Sequence, residues 1–211
     1  MENQSHSSHL GLSYFRPGSV DTKRADEHDP YFYETFIGKH DIQVQQGDCA
    51  FWLSEDKKTA YLQRGKAQIK SPHFATTVRG FAPESKTSTI TGKTVLPYIN
   101  GCSAKQIFPP DRPGDPTFQL LIIPPHSSEQ QHHIHSTARC VYVLSGKGTC
   151  VLGVGKSLRV PLETGAVCVF DPMAPHHFET SDESLVVLPV HVWSSTDQEH
   201  NHPMFNGTFR I

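Results

Sequence analysis

Short runs of alternating apolar and polar residues recur along the chain, interrupted by 16 prolines and 15 glycines. Almost no segment keeps an apolar period of 3.6 residues for ten positions, so helices are scarce. Strands are predicted near residues 41–46, 50–54, 59–64, 74–80, 118–124, 140–146, 148–154, 166–172 and 184–193. Turns such as SGKG, GVGK and LETG separate several of them. This pattern predicts an all-β sandwich or barrel of antiparallel strands.

The distribution of these elements suggests four regions. Residues 1–40 read as a polar N-terminal leader, and residues 41–102 as N-terminal strands that pack on a barrel or extend it. Residues 103–195 hold the barrel core, and residues 196–211 form a C-terminal tail. With 211 residues, the chain is long enough for one well-buried core with appendages.

Charge and hydropathy exclude two classes of partner. The chain has 19 Lys and Arg against 21 Asp and Glu, so no excess of positive charge favours nucleic acid or anionic membrane. No apolar run approaches the ~20 residues of a membrane helix. The five cysteines form no CxxC pair and have apolar neighbours. They predict a reducing compartment, and the cytoplasm is the expected location.

The histidines indicate a possible metal site, because the chain has 14 of them and they are clustered. His133 and His135 are one residue apart in EQQHHIHSTARCVYVLSGKG, and on a strand two such residues point to one face. A third histidine is available in GAVCVFDPMAPHHF, at His176 or His177. Neutral imidazoles from both segments suit a first-row divalent metal.

The order of these two motifs resembles the cupin superfamily. The segment IIPPHSSEQQHHIHSTARCVYVLSGKG is similar to the first cupin motif, in which a turn leads to His-x-His and a strand ends in glycine. The segment LETGAVCVFDPMAPHHFET is similar to the second, in which a glycine, a strand and a proline turn lead to the third histidine. The resemblance implies a single cupin barrel (jelly roll, double-stranded β-helix) with an N-terminal extension that contributes extra strands.

The chain departs from the family at one position. Arg139 or, one place on, Cys140 stands where the first motif usually has a glutamate ligand. Three interpretations stay open. The metal is held by His133, His135 and His176 alone, as in the thiol dioxygenases of this superfamily; another histidine completes the set; or a metal-free barrel uses Arg139 to bind an anion.

Several residues are candidates for an additional ligand or for the pocket wall: His126, His132, His177, His191 and Cys140. The choice of His176 over His177 rests on its spacing from Gly165 and on strand alternation, which puts His176 and Phe178 on one face. His191 lies between valines in the last predicted strand, where a buried core histidine is an equal interpretation.

The resemblance and the arginine together predict a metal-dependent enzyme, with an Fe(II) dioxygenase favoured. Its substrate is a small carboxylate-bearing compound, with Arg139 as the residue that orients the carboxylate. Mn, Ni, Cu and Zn stay open as the metal. The alternatives are a non-catalytic small-ligand or sensor cupin, and a non-oxidative lyase or isomerase that uses the same site. A homodimer is also predicted, in which the segment at 41–46 or 50–54 adds to the sheet edge of a second copy.

Overall fold

The computed structural model describes residues 6–25, 33–79, 84–111 and 115–192. The predicted C-terminal tail, residues 196–211, lies outside the described residues. Among those described, no helix has the length and apolar character that crossing a membrane requires.

The described residues form eighteen strands and one short 3₁₀ helix. The first ten strands are β1 His6–His9, β2 Leu12–Phe15, β3 Asp21–Arg24, β4 Tyr33–Ile37, β5 Ile42–Val44, β6 Cys49–Leu53, β7 Thr59–Arg64, β8 Ala67–Ile69, β9 Phe74–Val78 and β10 Lys86–Thr89. After β11 Leu96–Pro97 and the 3₁₀ helix Ile99–Gly101 come β12 Ser103–Phe108, β13 Thr117–Ile123, β14 Ala138–Leu152, β15 Leu158–Glu163, β16 Val167–Phe170, β17 His176–Glu179 and β18 Leu185–Val192.

The chain divides into two compact units. The first takes residues from Met1–Ser19, Thr91–Gln106 and Gln119–Pro189, and the second from Val20–Ile90, Ile107–Phe118 and Val190–Ile211. Four strands, β1 to β4, lie within the first 40 residues, where the sequence suggested a polar leader. The alternation there is short and interrupted; β1 pairs with β2 and β3 with β4, while β2 and β4 also pair with the distant strands β16 and β9.

The first unit is built on a ten-stranded sheet with the order β1-β2-β16-β14-β18-β13-β12-β11. Strands β15 and β17 complete it by pairing with β14. The hairpin β1–β2 joins the sheet beside β16, with Leu12 opposite Phe170. The N-terminal extension therefore does contribute extra strands, although these two lie in the predicted leader, residues 1–40, and not in residues 41–102.

Strand β14 is a single long strand where the sequence predicted two strands and a turn. Its first part, Arg139 to Tyr142, pairs with β16, and its second part, Lys147 to Leu152, pairs with β15. Between them Gly146 has a φ of 85°, a left-handed conformation that favours glycine. A Cβ at this position would lie 1.8 Å from the Ser184 carbonyl oxygen. The glycine therefore bends the strand so that it changes partners without reversing direction.

The apolar core of the first unit shows which face of β14 points inward. Val141 and Val143 belong to this core, together with Phe170 on β16 and Phe178 on β17. Arg139 lies two residues before Val141 and pairs across the sheet with Phe170. Alternation along the strand therefore places Arg139 on the inward face, in line with the core valines.

The second unit has a separate six-stranded sheet, of order β10-β7-β6-β9-β4-β3, and a two-stranded sheet of β5 and β8. Its core includes Ile42, Val44, Ala50, Ile69 and Ala75. Strand β6 pairs on one side with β7 and on the other with β9. The expectation that the segment at 50–54 adds to the sheet edge of a second copy is therefore wrong, because β6 has no free edge.

Candidate metal centre

An isolated β-bridge joins the two histidine segments. The His133 N–H donates to the His176 carbonyl at 3.1 Å, and the His176 N–H donates to the His133 carbonyl at 2.9 Å. His133 and His135 precede β14 as irregular backbone rather than opening a strand. The two segments were expected to meet through strand pairing, and this single bridge joins them instead. It places His133 beside His176, 43 positions further along the chain.

Three imidazoles converge at this bridge. One ring nitrogen each from His133, His135 and His176 lies within 4.8 Å of the other two. The ring centroids are 4.4 Å apart for His133 and His135, 4.9 Å for His133 and His176, and 5.4 Å for His135 and His176. This is the set that the sequence analysis chose, and within the described residues no fourth ligand joins it.

Backbone carbonyls fix the protonation of two of these rings. His133 Nδ1 donates to the Gln131 carbonyl at 2.8 Å, and His176 Nδ1 donates to the Ala174 carbonyl at 2.8 Å. A carbonyl oxygen can only accept, so each Nδ1 carries the hydrogen and each Nε2 keeps its lone pair. His133 Nε2 faces His135 Nε2 at 2.6 Å. Outer-shell hydrogen bonds of this kind hold metal-binding histidines in the ligating tautomer.

Burial favours the neutral form of all three rings. It lowers the pKa of His135 to about 2 and that of His176 to about 3, and it also lowers the pKa of His133. The nearby positive charge of Arg139 lowers all three pKa values further. Neutral imidazole is the form that binds a metal, so the donor set fits a divalent first-row ion.

The choice between His176 and His177 is answered by the two faces of β17. His176 and Phe178 lie on one face with ring centroids 6.2 Å apart. His177 instead contacts His132, with their Nδ1 atoms 2.8 Å apart, and its Nε2 donates to Glu179 at 2.8 Å. His132 and His177 therefore belong to a separate hydrogen-bonded chain and are not members of the three-imidazole set.

The other candidates for a fourth ligand also lie apart from that set. The His126 side chain is 73% exposed, and its Nε2 is 3.7 Å from Asp182. Cys140 is fully buried and pairs with Val169 in the sheet. His191 is buried on β18, in a part of that strand assigned to the second compact unit. None of them lies in the group of ligand atoms around His133.

Arg139 reaches the interior as its place on β14 predicts. Burial lowers the pKa of Arg139 to about 10 although Glu129 and Tyr98 oppose the shift. Its Nε is buried and has no hydrogen-bond partner in the described part of the chain. The charge of Arg139 acts on all three histidines, so it lies close enough to influence whatever binds there.

Glu129 is the residue that sequence reasoning missed. It is 4% exposed, and burial raises the pKa of its carboxyl group to about 7 against the attraction of Arg139. Its backbone N–H donates to the Phe178 carbonyl at 3.0 Å, which anchors it beside β17. The available signal was a carboxylate four residues before His133, in a segment rich in polar residues.

Comparison with known families agrees with this geometry. Residues 119–192 match the family model of the cupin domain. The predicted all-β cupin fold is confirmed. A cupin fold with three converging imidazoles indicates a divalent metal site.

Solved structures extend the likeness of the fold to most of the chain. Protein Ylba from E. coli is 12% identical, with a TM-score of 0.62 over 90% of this chain and 94% of that one. A putative glyoxylate-induced protein from Pseudomonas aeruginosa is also 12% identical, with a TM-score of 0.51 over 86% of this chain and 73% of that one. At such identities the likeness is one of fold. No curated protein sequence matches the chain.

Proposed function

We propose that the chain is a metal-dependent enzyme, most simply an Fe(II) dioxygenase, that acts on a small carboxylate-bearing compound. The observation that carries this proposal is the group of three imidazoles, with nitrogens within 4.8 Å of one another, together with the partly buried Arg139, whose charge acts on all three. Three protein ligands leave coordination positions open for substrate, which distinguishes a catalytic site from a closed structural one.

His133, His135 and His176 hold the metal through one nitrogen each. A metal bound there supplies redox and Lewis-acid chemistry. The carbonyls of Gln131 and Ala174 keep two of the rings oriented, because each accepts the Nδ1 hydrogen. The chain thus contributes a preorganised set of ligands, which requires little rearrangement when the ion binds.

Arg139 binds the carboxylate of the substrate and fixes its orientation. A guanidinium near a divalent cation is unfavourable unless an anion lies between them, because like charges repel strongly at low dielectric. An anionic substrate that contacts both removes this cost. The planar guanidinium also matches a carboxylate with two parallel hydrogen bonds, which restricts how the substrate can lie.

Metal analysis of untagged protein tests the first half of the proposal. We expect about one equivalent of a divalent transition metal per chain, as for a single complete site. Replacing any one of the three histidines by Ala should weaken metal binding by more than the ~10–100-fold that loss of an outer-shell partner costs. His126→Ala is the matched control, because this side chain is exposed and apart from the set. A wild-type protein with little metal, whose content the ligand variants leave unchanged, would refute the proposal.

Oxygen consumption tests the second half. The protein is loaded anaerobically with Fe(II) and mixed with panels of thiols, aromatic acids and keto acids in an oxygen electrode. Uptake of O₂ that requires iron, acid and Arg139 supports the dioxygenase. Product that forms without O₂ supports a lyase or isomerase at the same site. A rise in melting temperature with no turnover supports a binding or sensor protein.

Two further expectations belong to this proposal. All five cysteines are free and buried, which suits the reducing cytoplasm that we propose as the location. We also propose a homodimer. Of the two segments considered for its interface, only β5 keeps an open edge, since it pairs with β8 alone. Light scattering at several concentrations tests the oligomeric state.

A further inference from the structure

Glu129 is a buried carboxyl group and Arg139 a partly buried guanidinium, and each has one buried atom without a hydrogen-bond partner among the described residues. Glu129 is 4% exposed, and the atom concerned is its Oε2. In Arg139 it is Nε. A buried polar atom left without a partner costs free energy, and more so when the group is charged. Each of these two atoms could therefore form a hydrogen bond with a bound ligand.

The two residues interact electrostatically, but neither satisfies all the hydrogen-bonding atoms of the other. The attraction of Arg139 lowers the pKa of Glu129, but burial outweighs it and the pKa still rises to about 7. A carboxylate in direct contact with a guanidinium has its pKa lowered instead. Since Oε2 and Nε also remain without partners, each group keeps an atom available to a third molecule.

A backbone hydrogen bond links Glu129 to the strand that carries His176. The Glu129 N–H is bonded to the Phe178 carbonyl, two residues after His176 on β17. The charge of Arg139 acts on the three histidines and on Glu129. Tyr98, which is 37% exposed, interacts electrostatically with both Arg139 and Glu129.

We propose that Glu129 is a specificity-determining residue: while Arg139 binds the substrate carboxylate, the free Oε2 of Glu129 accepts a hydrogen bond from a hydroxyl or amino group of the same molecule. The substrate class is therefore an acid that carries an O–H or N–H donor next to its carboxylate. This inference rests on the proposed role of Arg139. An acid without the donor leaves Oε2 unpaired in a dry site, so it binds more weakly.

Binding of matched small acids tests the inference without any turnover. Propionate, lactate and alanine share a three-carbon skeleton and carry no donor, a hydroxyl and an ammonium group. Their dissociation constants are measured by calorimetry on the protein as purified and again after chelation. We expect lactate or alanine to bind about 10–100-fold more tightly than propionate, the ratio that one hydrogen bond to a charged group provides. Which of the two binds better distinguishes a hydroxy acid from an amino acid.

Variants attribute the preference to Glu129. In Glu129→Leu the preference should fall below about 3-fold while propionate binds no worse, because the unpaired carboxylate is gone. Glu129→Gln preserves the shape and guards against misfolding, and it should weaken alanine more than lactate because only the charge is lost. Glu183→Gln is the control, since Glu183 is exposed and paired with Lys147 at 3.0 Å. Arg139→Gln should weaken all three acids together.

The outcomes separate this inference from the proposed function. Equal affinities for the three acids, lost together in Arg139→Gln, overturn the role of Glu129 and leave the carboxylate-binding enzyme standing. A donor preference that persists in Glu129→Leu also overturns only the role of Glu129. Failure of all three acids to bind the wild-type protein overturns both, because Arg139 then binds no carboxylate.

Discussion

Neutralising Glu129 should make the protein more stable at alkaline pH and leave its stability almost unchanged at acid pH. Burial raises the pKa of this carboxyl group from its ordinary 4.5 to about 7 in the folded protein. The folded state therefore holds the proton more tightly than the unfolded state does. Stability falls as the pH rises from 4.5 to about 7, because the unfolded chain ionises first and the folded protein must then ionise a buried group.

The size of the effect follows from these two pKa values. Each tenfold change in a proton equilibrium corresponds to about 1.4 kcal/mol, so the whole interval costs about 3 kcal/mol of unfolding free energy. Most of this change, somewhat over ~2 kcal/mol, falls between pH 5 and pH 8. The Glu129→Gln side chain resembles the protonated carboxyl group at every pH and avoids the cost. The unfolding free energy of the variant, relative to that of the wild type, should therefore increase by somewhat over ~2 kcal/mol between pH 5 and pH 8.

The assay is chemical denaturation of both proteins at several pH values between 5 and 8, with a chelator present. Burial lowers the pKa of His135 and His176, so these residues reduce stability as the pH falls below 6.5, which is the opposite trend. Both proteins contain these histidines, and the difference between the two curves removes their contribution. Glu183→Gln provides the exposed control. Parallel curves for Glu129→Gln and wild type would show that Glu129 titrates as an ordinary carboxyl group and refute the reasoning.

Three further predictions concern the rest of the molecule. Gly146→Ala should lower the free energy of unfolding by about 2–5 kcal/mol in a urea titration, because of left-handed strain and overlap with the Ser184 carbonyl. Gly155→Ala is the control and should match wild type, since nothing lies within 4 Å of the new Cβ. Equal losses in both variants would contradict the role of Gly146 in the bend. All five thiols are buried, and burial raises the pKa of Cys49, Cys150 and Cys168. A thiol reagent should therefore label none of the cysteines rapidly before guanidinium is added. Rapid labelling of the native protein would refute this. Because burial keeps His135 and His176 neutral in acid and lowers the pKa of His133, metal affinity should fall between pH 7 and 5.5 by less than it would for three ordinary imidazoles; a loss in calorimetry as steep as three ordinary imidazoles give would contradict these pKa directions.

The sequence was sufficient for the fold class and for the three-histidine set, since both depend on short patterns. Residues two apart share a face of an extended segment, and a face shared by His176 and Phe178 excludes His177 from the same side. These relations need no knowledge of distant partners. The positions of His133 and His135 beside His176 followed from the order of the two motifs, although an isolated bridge joins them and a continuous strand was expected.

The features that could not be predicted depend on contacts between distant segments. The SGKG segment carries the composition of a turn, yet Gly146 bends one continuous strand because β15 and β16 pair with its two ends. Glu129 lies in a polar segment that looks solvent-exposed by composition. It is nevertheless buried, and its backbone N–H bonds to the carbonyl of Phe178, 49 residues away in a strand whose register cannot be read from composition. Local propensity cannot specify either outcome.

The positive charge of Arg139 acts on the three histidines and so affects which ligand charge the site can accept. In a site with three neutral imidazoles, a divalent ion and an arginine give an excess of positive charge in a poorly solvated interior. Glu129 offsets part of it, but its free oxygen and raised pKa show that it does so without a direct bond to Arg139. A stable apolar core would replace such a pair with hydrophobic side chains, because burying charged groups that are not fully bonded costs stability. The pair is therefore best explained by a ligand that is itself anionic and carries a hydrogen-bond donor. Its binding would offset the free-energy cost of burying Glu129 and Arg139 without full hydrogen bonding.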